Sequence, residues 1–528
     1  MTKRIPLMVL IILFLIFIAG CSKTTVKNKN DQNNDFLIQN EIMNSNMKTD
    51  DNIRKKIADS DYTPENPLVI LNPYEVSPLT AVVGFKTLEP VEIILTIPGD
   101  VEEDTLTFKF PEDTKHYIPV FGLYPGRKNQ IKIQTLSNGS LISTNTIEIQ
   151  TDGLPVELEN AVTVTDSSDT SYGGLTLVSG GFYRNLYAFD SLGNIRWYLN
   201  TETDAHGYFP MENGRFMLIS GYSMIETETR DYARYIYDMD LLGRLHKVYD
   251  IPTGIHHEII EKNKNGNLLM LGNSLDGHVE DTILEVNRST GEILKELNLE
   301  SLIFDTKYND RYDWAHMNSI SYDRSENTLI VSARDLSSLI KIDWATDEIL
   351  WILSDPQIWK ETAYIDHVLN LEGSSFWHYE QHAAFELEED LDSDPETLDL
   401  MLFDNRVIRN ETMQITIKED SGRSSVTQYA INENNGTVKQ VKRFPNSSAF
   451  ITSNFEYFSD RDLLIAYHGS LKETPESPIN TMWGEIYEYN YSSGELVHSF
   501  KLKYGFYRAH KLSPNLLDLV VPIERPSK

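Results

Sequence analysis

The 528-residue chain has a single cysteine, Cys21, and only 47 basic side chains against 79 acidic ones. One cysteine excludes intramolecular disulfides, Cys-rich zinc modules and iron–sulfur clusters. The shortage of Lys and Arg leaves a formal net charge of −32, which repels a phosphate backbone, and no basic patch offsets it, so nucleic acid is excluded as a partner. What is present is material for a core: 40% hydrophobic residues and 27 tyrosines exclude global disorder. The length suits one large domain with one or two small ones.

Residues 1–20 begin with Lys3 and Arg4, continue as an apolar run and end in small residues before Cys21, the layout of a secretory signal. Ile18-Ala19-Gly20-Cys21 resembles the bacterial lipobox, with Ile18 where Leu is usual. That resemblance implies cleavage before Cys21, a lipid on its thiol, and a chain held on the extracytoplasmic face of the cell membrane. Loss of Lys3 and Arg4 with the signal takes the charge to about −34. An uncleaved anchor is the alternative, since the apolar run approaches spanning length. Residues 21–62 are polar, rich in Asn, Lys and Asp and without clear periodicity, and read as a flexible tether. From 63 to 152, alternating runs such as Ala81–Thr87, Val91–Thr96 and Gln130–Thr135, broken by Pro, Gly and Asn turns, predict a small β-sandwich.

The part from 160 to 528 is repetitive. Six segments share one pattern, an alternating strand, Asp or Asn, a tight turn and a second alternating strand, centred on Asp190, Asp240, Asn287, Asp343, Asn432 and Asn490. Two further strands precede most of these hairpins, as in His316–Asp323 followed by Asn327–Arg334. Four strands per unit at a period of about 50 residues predict propeller blades. The fold class is therefore all-β, a six-bladed propeller preceded by a β-sandwich. The longer interval before the fifth hairpin predicts insertions in the acidic stretch Glu386–Glu396, and the carboxyl-terminal strand near Arg508 is expected to complete the first blade.

Aligned in this way, the first strand of successive blades carries His206, His256 and His257, His316, His382, and finally Arg508 and His510. The first strand of a blade lines the central channel, so the alignment predicts a ring of imidazoles around one cavity. A single strand histidine is ordinarily a hydrogen-bonded structural residue; the same register in four successive blades is not explained that way. Such a ring can hold a metal, making the protein a metal-dependent hydrolase or oxidase, or do nucleophilic and acid–base chemistry. A non-catalytic surface-binding propeller is a third reading. Arg334, on the second strand of the His316 blade, favours an anionic substrate over a dication. The seven tryptophans show no regular Trp-Gly period of the kind quinone-dependent propeller dehydrogenases carry.

Asp313-Trp314-Ala315-His316-Met317-Asn318-Ser319-Ile320, then Ser332-Ala333-Arg334, Gln381-His382, Phe403-Asp404-Asn405 and Tyr507-Arg508-Ala509 together resemble the bacterial arylsulfate sulfotransferases. His256-His257 followed by Glu258 and Asn265-Gly266-Asn267 fit the same pattern. The resemblance implies transfer of a sulfuryl group between phenols without a nucleotide donor, cofactor or metal, through a transiently sulfated histidine. His382 corresponds to that nucleophile, His316 and Asn318 to an HxN pair, Arg334 to the sulfate-binding arginine, and one of His256 and His257 to a further histidine. Strand alternation lets only one of the two face the channel, and His257 is favoured because it directly precedes the acidic Glu258. Attack falls to His382, sulfuryl contacts to Arg334 and Asn318, and proton handling to His257 and His316; His256, Tyr507 and Arg508 are expected beside the substrate, with Tyr507 a candidate to hold the aryl ring and Trp314 a weaker one better suited to blade packing. Some members of that family carry a disulfide near the site, which this chain cannot form. The expected partners are small phenols and aryl sulfates, the membrane through the Cys21 lipid, and, left open, a second copy of the chain.

Overall fold

The computed structural model describes residues 29–512 apart from 168–172, 182–185, 202, 222–223, 228–230, 276, 304–310, 374, 410–414, 418–422 and 475–476. Cys21 and residues 1–20, read as a secretory signal, lie outside the described residues. Among those described, no helix is long and apolar enough to cross a membrane.

The stretch read as a flexible tether is corrected by the structure. Lys29–Asp59 form a 31-residue helix, α1. Its buried stripe runs through Ile42, Asn46, Asp50, Ile53 and Ile57, at helical spacing. Two of these five positions are polar, which is why no apolar period shows. Asn46 Oδ1 accepts the Leu245 amide at 2.9 Å, and Asp50 accepts from Tyr74 Oη and from Arg244 Nη1. Arg244 is fully buried and also meets Asp240 through Nε at 2.8 Å. A buried charge network of this kind contributes little net stability over apolar packing, but it is costly to break, so it fixes one docking geometry for the helix.

Residues 68–150 form the expected small β domain. The long strand Ala81–Ile97 pairs with Leu68–Leu71, Leu106–Val120 and Lys128–Ser137, and Ser140–Gln150 completes the set. It rests on the first two blades. Arg196 Nε bonds Gly122 O at 2.7 Å, the Ser191 hydroxyl meets Asp104 Oδ2, and Ser77 Oγ reaches Leu241 O.

Six four-stranded antiparallel blades follow, each ending in one of the six hairpins. The recurring Asp or Asn has one local job. Its side-chain oxygen accepts backbone amides two to four residues on: Asp190 from Leu192 and Asn194, Asp240 from Leu242 and Arg244, Asn287 from Ser289 and Thr290, Asp343 from Ala345 and Thr346, Asn432 from Asn435, and Asn490 from Ser493. These are Asx turns, which order the tight connection without a ladder bond. The outer strand of the second blade runs unbroken into the inner strand of the third as Leu245–Glu261.

The ring closes as expected, and at two places. The carboxyl-terminal strand Ala509–Leu512 is the inner strand of the first blade, pairing with Leu175–Val178. Val162–Ser167 adds a fifth, outer strand to the last blade, against Leu496–Leu502. The fifth blade carries its acidic loop between His382–Glu386 and Leu398–Asp404. Further length lies where it was not expected, in residues 354–381 before that blade and in the short hairpin Val407–Arg409 with Ile415–Ile417.

Candidate active site

Each inner strand in the second to fifth blades begins with a break in register, between Thr203 and Tyr208, His256 and Ile259, Met317 and Ser319, and His382 and Phe385. A left-handed residue sits within three of these breaks, Gly207 at φ 72°, His257 at 48° and Ala383 at 47°, and directly before the fourth, His316 at 48°. For a histidine this conformation is rare and strained. The bulge swings side chains off the normal alternation and into the channel. The His257 ring lies 4.2 Å from that of His206, 4.8 Å from His316 and 5.7 Å from Tyr507, centroid to centroid. The predicted cluster therefore exists.

His382 is held in one tautomer. Asn405 Nδ2 donates to Ala449 O at 2.9 Å, which turns Asn405 Oδ1 toward His382 Nδ1 at 2.8 Å. The imidazole proton must then sit on Nδ1, leaving a lone pair on Nε2, and the Thr452 amide donates to that atom at 3.2 Å. Burial, then the charge of Arg334, hold the His382 pKa well below the ordinary histidine value, so the ring is neutral near pH 7.

His316 is the opposite case. Its Nδ1 lies 2.7 Å from Asp313 Oδ2 and 2.8 Å from Glu280 Oε2. Burial and Arg334 work to lower its pKa, but the Asp313 and Glu280 carboxylates outweigh them and hold it above the usual value. Arg334 is buried; Asp335 Oδ1 takes its Nε at 2.7 Å and its Nη2 at 2.6 Å. Asp335, Glu380, Asp313 and Glu280 all act to keep it charged against the effect of burial. Asn318 Nδ2 donates to Gln381 O at 2.8 Å, tying the HxN pair to the residue before His382, while its buried Oδ1 has no hydrogen-bond partner among the described residues.

Three expectations are revised. His256 does not face the channel: its Nε2 meets Gly272 O at 2.9 Å, its Nδ1 meets His257 Nδ1 at 2.9 Å, and it stands behind His257 instead of beside a substrate. Arg508 is committed to protein, with Nη1 on Glu258 Oε2 at 2.6 Å and Nη2 on Asn318 O at 2.8 Å, so it braces three blades together. Burial pushes the Glu258 carboxyl up, and the adjacent Arg508 opposes that. His510 turns to Glu456 and Tyr208, away from the cluster. Tyr507 does reach the site, edge-on to His206 at 4.8 Å with its hydroxyl donating to His257 O. Trp314 is fully buried in a blade core, as expected of a packing residue. His206 is fixed by Asp204, Nδ1 to Oδ1 at 2.6 Å.

Sequence reasoning assigned no role to Glu280, Asn405 or Thr452. Glu280, Arg334 and Asn405 all come from the connection between the second and third strands of blades three, four and five. Aligning that connection, as the first strands were aligned, finds Arg334 and Asn405 directly after their second strands, whereas Glu280 lies seven residues beyond Asn273 and carries no local signal. Three donor sets among the described residues have ligand atoms within 4.8 Å of one another: His256, His257 and Glu280, and Glu280, Asp313 and His316, at the site, and Asp390, Asp392 and Asp399 in the acidic loop of the fifth blade. Arg334, whose charge acts directly on His316, opposes a dication at the site.

The arylsulfotransferase family model matches residues 160–509, and the arylsulfotransferase Ig-like domain model matches residues 68–152. The arylsulfate sulfotransferase AssT of Lelliottia amnigena is 23% identical over 572 aligned positions, covering 84% of this chain and 92% of that protein. Its namesake from Escherichia coli O6:H1 is 23% identical over 527 positions, covering 76% and 85%. With propeller and small domain both matched, the chain belongs to the arylsulfotransferase family.

Proposed function

We propose that the chain moves a sulfuryl group from a phenolic sulfate ester to a phenolic acceptor in two steps, with His382 sulfated between them. The observation that carries this reading is the tautomer of His382: a buried, neutral imidazole with its proton fixed on Nδ1 presents Nε2 as the nucleophile. In the first step Nε2 bonds to sulfur, the sulfur–oxygen ester bond breaks, and the departing phenolate takes a proton from the His316 or His257 imidazolium, leaving it a neutral imidazole. In the second, the acceptor phenol returns a proton to that imidazole as its oxygen attacks sulfur and the nitrogen–sulfur bond breaks. The transition state is loose, with charge on the sulfuryl oxygens and the leaving oxygen, so placed donors supply most of the catalysis. Arg334 and the Thr452 amide, which loses its partner once Nε2 is sulfated, are the donors for those oxygens, while Asn318, expected at the sulfuryl group, has its Nδ2 on Gln381 O and holds the His382 strand in place.

Residues 1–21 support the further proposal that the mature chain is lipid-anchored through Cys21 on the extracytoplasmic side. Initial rates with 4-nitrophenyl sulfate and a second phenol varied together test the two-step reading. Parallel double-reciprocal lines are expected, and intersecting lines would show that both substrates must be bound at once.

A further inference from the structure

We infer that Glu280 is a positioning residue that ties His316 and His257 into one proton-handling unit. This rests on the sulfuryl-transfer reading above and adds to it a residue that no motif of the sequence marks. Glu280 is fully buried, and its Oε2 lies 2.8 Å from His316 Nδ1 and 3.5 Å from His257 Nδ1. Its Oε1 accepts the Tyr232 hydroxyl at 2.8 Å. The backbone is as closely held as the carboxylate. Glu280 sits at φ 55°, its amide donates to Asn273 Oδ1 at 2.9 Å, and its carbonyl accepts the Met317 amide at 3.0 Å, next to His316 itself. The segment that presents the carboxylate is therefore the one that fixes the start of the His316 strand.

The arrangement has a chemical consequence. Asp313 Oδ2 takes the hydrogen bond of His316 Nδ1 with the Glu280 charge close beside it, so whatever proton His316 exchanges with a phenol oxygen must pass through Nε2. Charged and titratable groups facing His316 are Asp313, Glu280, Arg334, His257 and His382; those facing Glu280 are Tyr232, His256, His257, His316, Asp313 and Arg334. Among these, Glu280 alone approaches both imidazoles that serve the phenol oxygen. Its negative charge favours the imidazolium of whichever ring holds the mobile proton, at the expense of local attraction for an anionic substrate.

Glu280→Gln keeps the size and removes the charge. Loss of a negative neighbour lowers the His316 pKa, so the alkaline limb of kcat, where the imidazolium proton is lost, moves to lower pH. At neutral pH kcat is expected to fall roughly 10- to 100-fold, with KM for the anionic donor unchanged or lower. The fall is larger for phenyl sulfate than for 4-nitrophenyl sulfate, whose phenolate leaves with less help from a proton. Glu280→Asp keeps the charge and should keep the alkaline limb near that of the wild type even if kcat drops. An unmoved pH profile in Glu280→Gln, with equal losses for both donors, overturns the proposal. The sulfuryl adduct on His382 separates this from the parent reading: an adduct in both proteins with no shift of the limb removes the role of Glu280 alone, and no adduct in the wild type removes the parent reading.

Discussion

Replacing His382 by alanine is expected to reduce sulfuryl transfer from 4-nitrophenyl sulfate to a phenol by on the order of 10³ or more. The size follows from what Nε2 does. If the sulfuryl group is carried by nitrogen between two phenols, removing that nitrogen leaves a direct displacement for which the site is not built, since donor and acceptor occupy the same position in turn. The other imidazoles do not substitute: His316 has its Nδ1 committed to Asp313 and Glu280 and is held toward the charged form, which has no lone pair to offer. The ring is buried and bonded to Asn405 and Thr452, so a matching circular dichroism spectrum and melting temperature within a few degrees must accompany the assay. Activity within a few-fold of wild type in a folded variant contradicts the assignment.

Arg334→Ala should lower kcat/KM for the aryl sulfate by on the order of 10², the cost of one charged donor at a site of developing charge. A second effect distinguishes this from general damage. Arg334 is, after burial, the strongest influence holding the His382 pKa down. Without that positive neighbour the His382 pKa rises, so the acid limb of the kcat/KM profile, where the nucleophile is lost to protonation, moves to higher pH. A uniform loss with the limb in place, or a change confined to acceptor affinity, argues against both roles. The structure also qualifies Arg334 as a cationic spot on a chain of charge −32, because four carboxylates, those of Asp335, Glu380, Asp313 and Glu280, act on it. Attraction of a sulfate monoester thus depends on His316 being protonated as well.

The blades were legible because their signals are local and repeated. An Asx turn needs Asp or Asn at one position of each hairpin, and the six occurrences carry that need directly in the sequence. The histidine ring followed from register, since His206, His257, His316 and His382 each fall at the start of an inner strand. What the pattern could not supply is the bulge at each of those starts, which breaks strict alternation and lets neighbouring residues take unequal roles. His257, at φ 48°, faces the cluster and His256 the Gly272 carbonyl, one of the pair inward as alternation requires, and alternation beyond Ala509 directs His510 to Glu456. Helix α1 was misread because Asn46 and Asp50 occupy its buried stripe, and their partners, Leu245 and Arg244, lie about two hundred residues away. Glu280 was missed on similar grounds: a carboxylate in a loop acquires meaning only from the two imidazoles brought to it by other blades.

The central claim is a covalent bond between sulfur and His382. The direct measurement is mass spectrometry of the peptide containing His382 after brief exposure of the protein to 4-nitrophenyl sulfate without acceptor, quenched at alkaline pH to preserve a nitrogen–sulfur bond. The account predicts a gain of roughly 80 Da, one sulfuryl group in place of a proton, on that peptide and its disappearance when a phenol is added. No adduct under conditions of demonstrated turnover, or an adduct on a peptide carrying His257 or His316 in its place, would contradict it.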